Sequence, residues 1–296
     1  MKEVVDSFLE YLEFQKRYSR HTITAYRSDL SSFCDYLALF YELDQIKEVS
    51  QRMVSSWVAD LADSGIAPRS INRKLSAVQS FYEFAIRKSL VSKNPARLIQ
   101  RPKTSNHLPS VVRSESIDNL FNEIEFESDF EGVRDRLILA VFYACGLRRE
   151  ELITLNLESI DEANFSIKVF GKRNKERILP IAPMLMKWIE EYLEVRQTIG
   201  AECSNLFITL KGQKLYPSLV YQIVKKYLSQ VTTMDKKSPH VLRHTFATHL
   251  LNEGANLQSI KELLGHSSLA ATQVYTHTSL EKLKQVYQNA HPRSKN

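Results

Sequence analysis

The sequence of 296 residues lacks the features of membrane and secreted proteins. It contains no run of about 18 apolar residues, and its first residues carry neither an apolar stretch nor a cleavage site for secretion. We therefore expect a cytoplasmic protein with no membrane partner. Cysteine is scarce as well, with Cys34, Cys145 and Cys203 as the three examples. These residues are widely separated and lack metal-ligand spacing. This pattern predicts reduced, mostly buried thiols rather than disulfides.

Signatures of nucleotide and metal chemistry are also missing. No glycine-rich phosphate-binding loop is present, and the eight histidines lack the H-E-x-x-H pattern of a zinc site. We therefore predict no metal and no cofactor. No repeat of about 20–50 residues and no low-complexity tract is visible. With 43% hydrophobic and 25% charged residues, the composition is that of a globular chain long enough for two domains.

What the sequence does have is positive charge concentrated in one segment. The net charge is +6, and residues 65–103 hold nine basic residues against one acidic residue, Glu83. Over residues 113–131 the balance reverses, with seven carboxylates and one arginine. A block of one sign suits a polyanionic partner such as a phosphate backbone.

Apolar residues at steps of three and four predict helices in the N-terminal third. The pattern is clear over 23–37 and 71–85, and helices over 4–16 and 50–63 complete a compact four-helix unit. The 71–85 helix has a polar face opposite its apolar stripe. We interpret this face as a DNA contact, although a merely solvated face is the alternative. The candidate contacts are Arg69, Asn72, Arg73, Lys74 and Gln79.

Between the two charged segments the composition changes to proline, lysine and small polar residues, which indicates a semi-extended linker. We place a helical DNA-binding domain at residues 1–104, the linker at 105–112 and a second domain at 113–296. Cations in the linker would let the two domains close around a duplex, while a plain tether has the same composition.

The second domain is predicted to mix helices with one hairpin. Helical patterns cover 114–127 and 133–145. From Phe165 to Val169 apolar and polar residues alternate, residues 171–175 supply a turn, and 177–181 run back, which predicts a β-hairpin. Further helices are predicted to start at Pro183, Pro217, Ser238, near Asn256, at Ser267 or Ser268, and at Ser279.

Five residues of the second domain suit the cleavage of a phosphodiester without a metal ion. Arginines grip phosphate oxygens as a planar fork, histidines exchange protons near neutral pH, and a tyrosine oxygen can attack phosphorus. His240 and Arg243 stand three apart at a predicted helix start, hence on one face and near backbone N–H groups that attract phosphate. The five residues are Arg148, His240, Arg243, His266 and Tyr275.

Each of these residues also has a plainer interpretation. Tyr275 is one of 13 tyrosines and alone would suggest a packing role. Arg148 would form a surface ion pair with Glu151. His249, beside apolar neighbours, is expected to be a structural histidine. The combination of the five residues, rather than any one of them, favours phosphoryl transfer.

Four strings resemble the motifs of the tyrosine recombinases, or phage integrases, and among them most of all the Xer recombinases. They are A-C-G-L-R-R-E-E-L around Arg148, V-F-G-K-R-N-K-E-R around Lys172, S-P-H-V-L-R-H-T-F-A-T-H-L around Arg243, and L-L-G-H-S-S-L-A-A-T-Q-V-Y-T-H with His266 and Tyr275. The similarity spans nearly the whole chain.

The resemblance implies a fold and a catalytic set. The fold would be mainly α, with an N-terminal four-helix, SAM-like, core-binding bundle and a C-terminal mixed α/β catalytic domain that contains a small antiparallel sheet. A C-terminal helix over residues 279–290 would dock on a neighbouring protomer, the alternative being a helix folded onto its own domain. The implied catalytic set is Arg148, Lys172, His240, Arg243, His266 and the nucleophile Tyr275, with Glu151 orienting Arg148.

The implied chemistry is cutting and rejoining of DNA through a 3′-phosphotyrosyl bond, with Lys172 protonating the 5′ oxygen and Lys175 or Arg173 as its competitors. The expected partners are double-stranded DNA and a homo- or hetero-tetramer of recombinases on two DNA sites. The sequence leaves open whether a second Xer recombinase and a DNA translocase take part. The expected role is resolution of chromosome dimers at a dif-like site. The alternatives are an integrase or invertase of a mobile element and a non-catalytic DNA-binding protein.

Overall fold

The computed structural model describes residues 1–104, 110–171, 176–201 and 203–265. Contacts between residues divide the chain into two compact units, Met1–His107 and Leu108–Asn296. Each unit has its own apolar core. Within the described ranges, no helix is long and apolar enough to cross a membrane.

The first unit is built from four helices, as the sequence predicts. Helix α1 spans Lys2–Glu10 and continues as a π-helical turn over Tyr11–Gln15. Helix α2 spans Arg20–Tyr41, α3 spans Gln51–Asp63 and α4 spans Pro68–Arg87. Proline starts α4 at a position where the helix needs no backbone N–H.

Aromatic side chains fill the core of the first unit. Phe33 of α2 packs on Trp57 of α3 with ring centres 4.8 Å apart, and Phe8 of α1 meets Phe81 of α4 edge-on at 5.7 Å. All four side chains are at most 1% exposed. Burying a side chain of this size stabilises a fold by about 1.5–3 kcal/mol. These contacts therefore hold the four helices together.

The second unit mixes helices with a small antiparallel sheet, which confirms the predicted fold class. It begins with α5 at Ser114–Asn122, α6 at Phe130–Cys145 and the short α7 at Arg149–Ile153, followed by a 3₁₀ turn at Leu157–Ser159. The three-stranded sheet has the order β1 at Ile160–Asp161, β2 at Ser166–Phe170 and β3 at Glu176–Pro180. The later helices are α8 at Pro183–Gln197, α9 at Pro217–Val231, α10 at Pro239–Asn252 and α11 at Leu257–Leu264.

The antiparallel pairing of the predicted hairpin is confirmed, with one difference at its start, while residues 172–175 of the predicted turn lie outside the described residues. Strands β2 and β3 pair antiparallel, with Val169 opposite Arg177. The inclusion of Phe165 in the strand is wrong, because its φ of 47° places it in a left-handed turn that follows Asp161. The two-residue strand β1, which pairs with β2, is too short to give an alternation pattern in the sequence.

Helix α5 ends five residues before the 114–127 pattern predicts. At its end, the N–H of Ile124 bonds to the carbonyl of Asn119. The chain has to leave the helix here because it folds back against the start of α6. A Cβ on Gly132 would overlap the carbonyl oxygen of Glu127, so this close approach requires glycine.

Helix α6 is buried on nearly all sides, so it lacks the single apolar stripe of a surface helix. Asp129 caps its start by accepting the N–H of Gly132 at 2.8 Å. Gly146 ends it with a φ of 57°, a left-handed conformation that glycine adopts at little cost. The turn at Gly146 leads the chain directly into Arg148 and α7, and so positions the first candidate residue.

Candidate active site

The carboxylate of Glu151 lies buried among three arginine side chains. Arg148 donates to its Oε1 at 2.7 Å, and Arg177 donates to both oxygens at 3.1 and 2.7 Å. The Nη1 of Arg243 stands 3.7 Å from Oε2. We call these four residues the Glu151 cluster. It joins the start of α7, strand β3 and helix α10.

Local structure sets the geometry at Arg148. The turn at Gly146 buries Leu147 and leaves Arg148 as the residue that caps α7. Glu151, one turn on, reaches back and accepts the backbone N–H of Arg148 at 2.9 Å. This bond satisfies the cap residue's N–H at the helix start and fixes the carboxylate next to the Arg148 side chain. The side chain of Arg148 stays 32% exposed, so a ligand can reach it.

Backbone carbonyl groups hold the guanidinium of Arg243. It donates to the carbonyls of Gly146 and Leu264, at 2.6 Å in each case. These bonds use two of the five N–H groups of a guanidinium and fix its plane. Burial, helped by the charges of Arg148 and Arg177, lowers the pKa of Arg243 to about 10. The group therefore keeps its positive charge at neutral pH.

The Glu151 cluster carries an excess of positive charge. Burial raises the pKa of the Glu151 carboxyl, but the hydrogen bonds and charges of Arg177 and Arg148 outweigh burial, and the pKa lies below its ordinary value. Glu151 is therefore ionised at neutral pH, and the three guanidinium groups leave a net charge of +2. A partly buried site with this charge attracts an anion such as a phosphate diester.

The structure thus brings Arg148, Glu151 and Arg243 together and places His240 one turn before Arg243. His240 lies in the first turn of α10 and is exposed. The other three members of the implied catalytic set, and the helix expected at 279–290, lie outside the described residues. The three members are Lys172, His266 and Tyr275.

Sequence reasoning missed Arg177. Its Nε donates to the carbonyl of Leu263 at 2.8 Å while its two terminal nitrogens hold Glu151, and the side chain is 5% exposed. A signal is present in the sequence, since Arg177 alternates with Leu179 and Ile181 on the buried side of a predicted strand. A cation at such a position needs a buried acceptor.

The structural role predicted for His249 is confirmed. Its Nδ1 lies 3.1 Å from the hydroxyl of Tyr143, and its Nε2 lies 3.0 Å from the carbonyl oxygen of Val112. The hydroxyl of Thr245 accepts the N–H of Val112 at 3.0 Å. These bonds attach the segment before α5 to helix α10. Burial lowers the pKa of His249, so the ring is neutral at neutral pH.

The polar face of α4, in the first unit, bonds to the chain segment that follows this helix. Asn72 donates to the carbonyl of Pro102 at 3.0 Å, and Gln79 donates to the carbonyl of Ala96 at 2.8 Å. Gln79 also accepts a bond of 2.7 Å from Arg101. Asn72 and Gln79 therefore have a structural role, and their contact with DNA stays a prediction.

A buried carboxylate anchors two cations of the same helix. Asp29 of α2 is 1% exposed and forms an ion pair with Arg73, which is 50% exposed. The Lys74 nitrogen lies 3.4 Å from the other oxygen of Asp29. Arg69, one turn before Arg73, is exposed. A polyanion can therefore reach Arg69 and the outer half of Arg73.

All three cysteines are free thiols, but only one of them is fully buried, where the sequence predicts mostly buried side chains. Cys145 is buried, and Cys34 and Cys203 are half-buried. Burial raises the pKa of Cys145 to about 12 and that of Cys34 to about 11, so both are protonated at neutral pH. In the ranges that the structure describes, no three His, Cys, Asp or Glu side chains are grouped so that they could hold a metal ion.

Known proteins match the chain over most of its length. The model of the Phage integrase family matches residues 110–282, and that of the phage integrase N-terminal SAM-like domain matches residues 5–89. A tyrosine recombinase XerC of Chlorobaculum parvum is 39% identical over 97% of this chain and 94% of its own length. A tyrosine recombinase XerD of Staphylococcus haemolyticus is 34% identical over 99% of this chain and 100% of its own length.

Solved structures share the fold. The XerH site-specific recombinase bound to a palindromic difH substrate has a TM-score of 0.71 and 22% identity, and the match covers 90% of this chain and 79% of that one. The Tn1549 transposon integrase in complex with circular intermediate DNA has a TM-score of 0.71 and 19% identity, covering 94% of this chain and 98% of that one. From the family match and the two relatives, we conclude that the chain belongs to the phage integrase family of tyrosine recombinases, which are DNA strand-exchange enzymes.

Proposed function

We propose that the protein is a site-specific recombinase that cuts and rejoins double-stranded DNA through a 3′-phosphotyrosyl intermediate, with Tyr275 as the nucleophile. The observation that carries the proposal is the Glu151 cluster. It brings Arg148 and Arg243 together from separate elements, fixes their guanidinium groups and keeps a net charge of +2. A phosphate diester between two such forks is held and polarised without a metal ion.

In the proposed reaction the hydroxyl of Tyr275 attacks the scissile phosphorus and the 5′ oxygen leaves. Negative charge grows on the non-bridging oxygens, where Arg148 and Arg243 stabilise it. His240 takes the proton of Tyr275. A base is needed because the pKa of an ordinary tyrosine hydroxyl is about 10. Lys172 supplies a proton to the leaving oxygen. The phosphotyrosyl bond retains the energy of the broken diester, so rejoining needs no nucleotide.

A nicked duplex tests this reaction. The binding site is first located by mapping where the protein binds on its own chromosome. A nick next to the scissile phosphate then lets a short fragment diffuse away after cleavage, so the covalent adduct accumulates. We expect the wild type to form an adduct that survives denaturant, and Arg148→Ala or Arg243→Ala to form it about 10²–10³ times more slowly. A wild type that binds this DNA and forms no adduct would reject the proposal.

Sulfur in place of the bridging 5′ oxygen tests the proton donor, since a thiolate leaves without a proton. Cleavage by Lys172→Ala should recover on this substrate far more than cleavage by Arg148→Ala. Equal recovery of the two variants would remove Lys172 from the role of general acid.

For DNA recognition we propose that the exposed cations of α4 contact the phosphate backbone. Arg69 is exposed and Arg73 is half-exposed, which supports this choice. Loss of one phosphate contact should weaken binding and lower the slope of log affinity against log salt concentration by about 1. If neither Arg69→Ala nor Arg73→Ala alters affinity or this slope, the polar face of α4 is solvated only.

We further propose that the recombinase acts in the cytoplasm, as a tetramer on two DNA sites, and resolves chromosome dimers at a dif-like site. Support comes from the relatives XerC and XerD, which match over nearly the whole chain. A plasmid with two copies of the mapped site tests it, since the purified protein should convert this plasmid into two circles. Conversion that appears only after a second recombinase is added would establish a hetero-tetramer, and relaxation without exchange would reject recombination.

A further inference from the structure

We propose that Arg177 is a positioning residue for DNA cleavage, which acts through Glu151 to hold Arg148 in place for the scissile phosphate. The inference rests on the proposed function of the Glu151 cluster. It adds to that function a buried side chain that positions the other members of the cluster and does not touch the DNA.

The contacts of Arg177 define this role. Each of its three side-chain nitrogens donates to a protein oxygen, two to the carboxylate of Glu151 and one to the carbonyl of Leu263. Its side chain is 5% exposed, compared with 32% for Arg148. With all three nitrogens occupied, the guanidinium of Arg177 orients its neighbours, whereas that of Arg148 is exposed enough for a phosphate to reach it.

Removal of Arg177 changes the remaining cluster in two ways. The net charge falls from +2 to +1, because one guanidinium is lost while Glu151 stays buried and ionised. The carboxylate also loses two hydrogen bonds, which leaves its buried charge less compensated. We expect Arg148 and Arg243, the nearest cations, to shift towards it. Both changes weaken the stabilisation of the negative charge that grows on the scissile phosphate during cleavage. A misplacement of about 1 Å in a catalytic group can lower a rate about 10²-fold.

Arg177 also borders the chain segments that lead to the rest of the implied catalytic set. A Cβ on Gly265 would lie 3.3 Å from its Nη1, so the end of α11 packs closely on this guanidinium. His266 follows Gly265 in sequence. Arg177 is the second residue of β3 and comes shortly after residues 172–175 in sequence. The side chain therefore connects the hairpin, the start of α7 and the end of α11.

Single-turnover cleavage of the nicked duplex tests the inference, with Arg196→Gln as the matched control. Arg196 of α8 is also buried and also donates to backbone carbonyls, those of Cys203, Asn205 and Leu206 at 2.7–3.1 Å. We expect Arg177→Gln to bind DNA normally and to cleave it about 10²-fold more slowly. Arg196→Gln should lower the melting temperature and leave the cleavage rate close to that of the wild type.

Two further variants show whether Arg177 acts through Glu151. Arg177→Lys keeps the charge but cannot donate as a fork, so it should be as slow as Arg177→Gln. The double variant Arg177→Gln/Glu151→Gln should be no slower than the slower single variant, because residues that act as a unit are not additive. If Arg177→Gln does not fold, Arg177→Lys takes its place in the comparison.

A scissile methylphosphonate separates positioning of the arginines from a general structural defect. In this substrate a methyl group replaces one non-bridging oxygen, so the group is uncharged and its cleavage depends less on Arg148 and Arg243. The cleavage defect of Arg177→Gln should therefore be smaller on this substrate. A wild-type rate for Arg177→Gln, multiplied defects in the double variant, or an equal defect on both substrates would overturn the inference. A wild type that makes no adduct would instead reject the proposed function.

Discussion

Replacing Asp29 by asparagine should destabilise the first unit, because it leaves two cations of α4 without their anion. The change keeps the shape of the side chain and removes its charge. Asp29 is 1% exposed, and the two cations, Arg73 and Lys74, pair with its two different oxygens. The loss is therefore electrostatic rather than a loss of packing.

The exposure of the two cations sets the size of the effect. Removing one partner of a fully buried ion pair costs about 3–5 kcal/mol, because the other charge stays unpaired inside the protein. Arg73 is 50% exposed and can be hydrated, whereas Lys74 is only 14% exposed. Since one of the two cations stays poorly hydrated, we expect the free energy of unfolding to fall by about 1–3 kcal/mol. With a urea dependence of about 1–3 kcal/mol per molar, the midpoint should fall by about 1 M.

The two tryptophans allow the first unit to be followed by itself. Trp57 lies in the core of the first unit and Trp188 lies in α8 of the second. In a Trp188→Phe background, urea unfolding monitored by fluorescence reports the first unit alone. The control is Asp35→Asn, which removes an exposed carboxylate from the same helix and should change stability by no more than about 0.5 kcal/mol. Equal midpoints for Asp29→Asn and Asp35→Asn would refute the reasoning.

Two further predictions concern the second unit. Burial holds the pKa of His249 below its ordinary value, so as the pH falls through that ordinary value the unfolded chain takes up the proton first and stability is lost. The melting temperature should fall between pH 7 and pH 5 more steeply for the wild type than for His249→Asn, and equal slopes would contradict this. Gly146→Ala should destabilise by about 2–4 kcal/mol, since φ is positive and the new Cβ would overlap the ring of Phe246. Gly200→Ala, with positive φ and open space around it, should cost about 1 kcal/mol of stability. Equal losses for the two substitutions would contradict the expected clash with Phe246.

The helices and the hairpin follow from local patterns, and these are the parts that the sequence predicts well. Apolar steps of three and four, proline at first turns and alternation in β2 all act over a few neighbouring residues. The structure departs from the sequence predictions where contacts between separate elements determine the path of the chain. Helix α5 ends early because the backbone of Glu127 packs against Gly132, which lies in a different helix.

The candidate site, too, is only partly predictable from the sequence. Arg148, His240 and Arg243 stand in recognisable motifs, so the sequence identifies them. The plainer interpretation placed Arg148 in a surface ion pair with Glu151, yet Glu151 is 6% exposed and has Arg177 as a second partner. No local pattern shows which carboxylate a buried arginine will meet 26 residues away.

The polar face of α4 illustrates a second limit. Spacing along a helix shows which residues share a face, but it does not show what covers that face. The chain after α4 returns and accepts hydrogen bonds from Asn72 and Gln79 through the carbonyls of Pro102 and Ala96. Such contacts depend on the path of an irregular segment, which the sequence pattern does not define.

The identity of the amino acid joined to DNA is the most direct test of the proposed reaction. The adduct formed on the nicked duplex can be digested with protease and nuclease, and the peptide that carries the nucleotide identified by mass spectrometry. The proposal predicts a 3′-phosphoryl nucleotide on the hydroxyl of Tyr275, and no adduct with Tyr275→Phe although DNA binding persists. Attachment to another of the 13 tyrosines, attachment through a 5′ phosphate, or an adduct with Tyr275→Phe would contradict it.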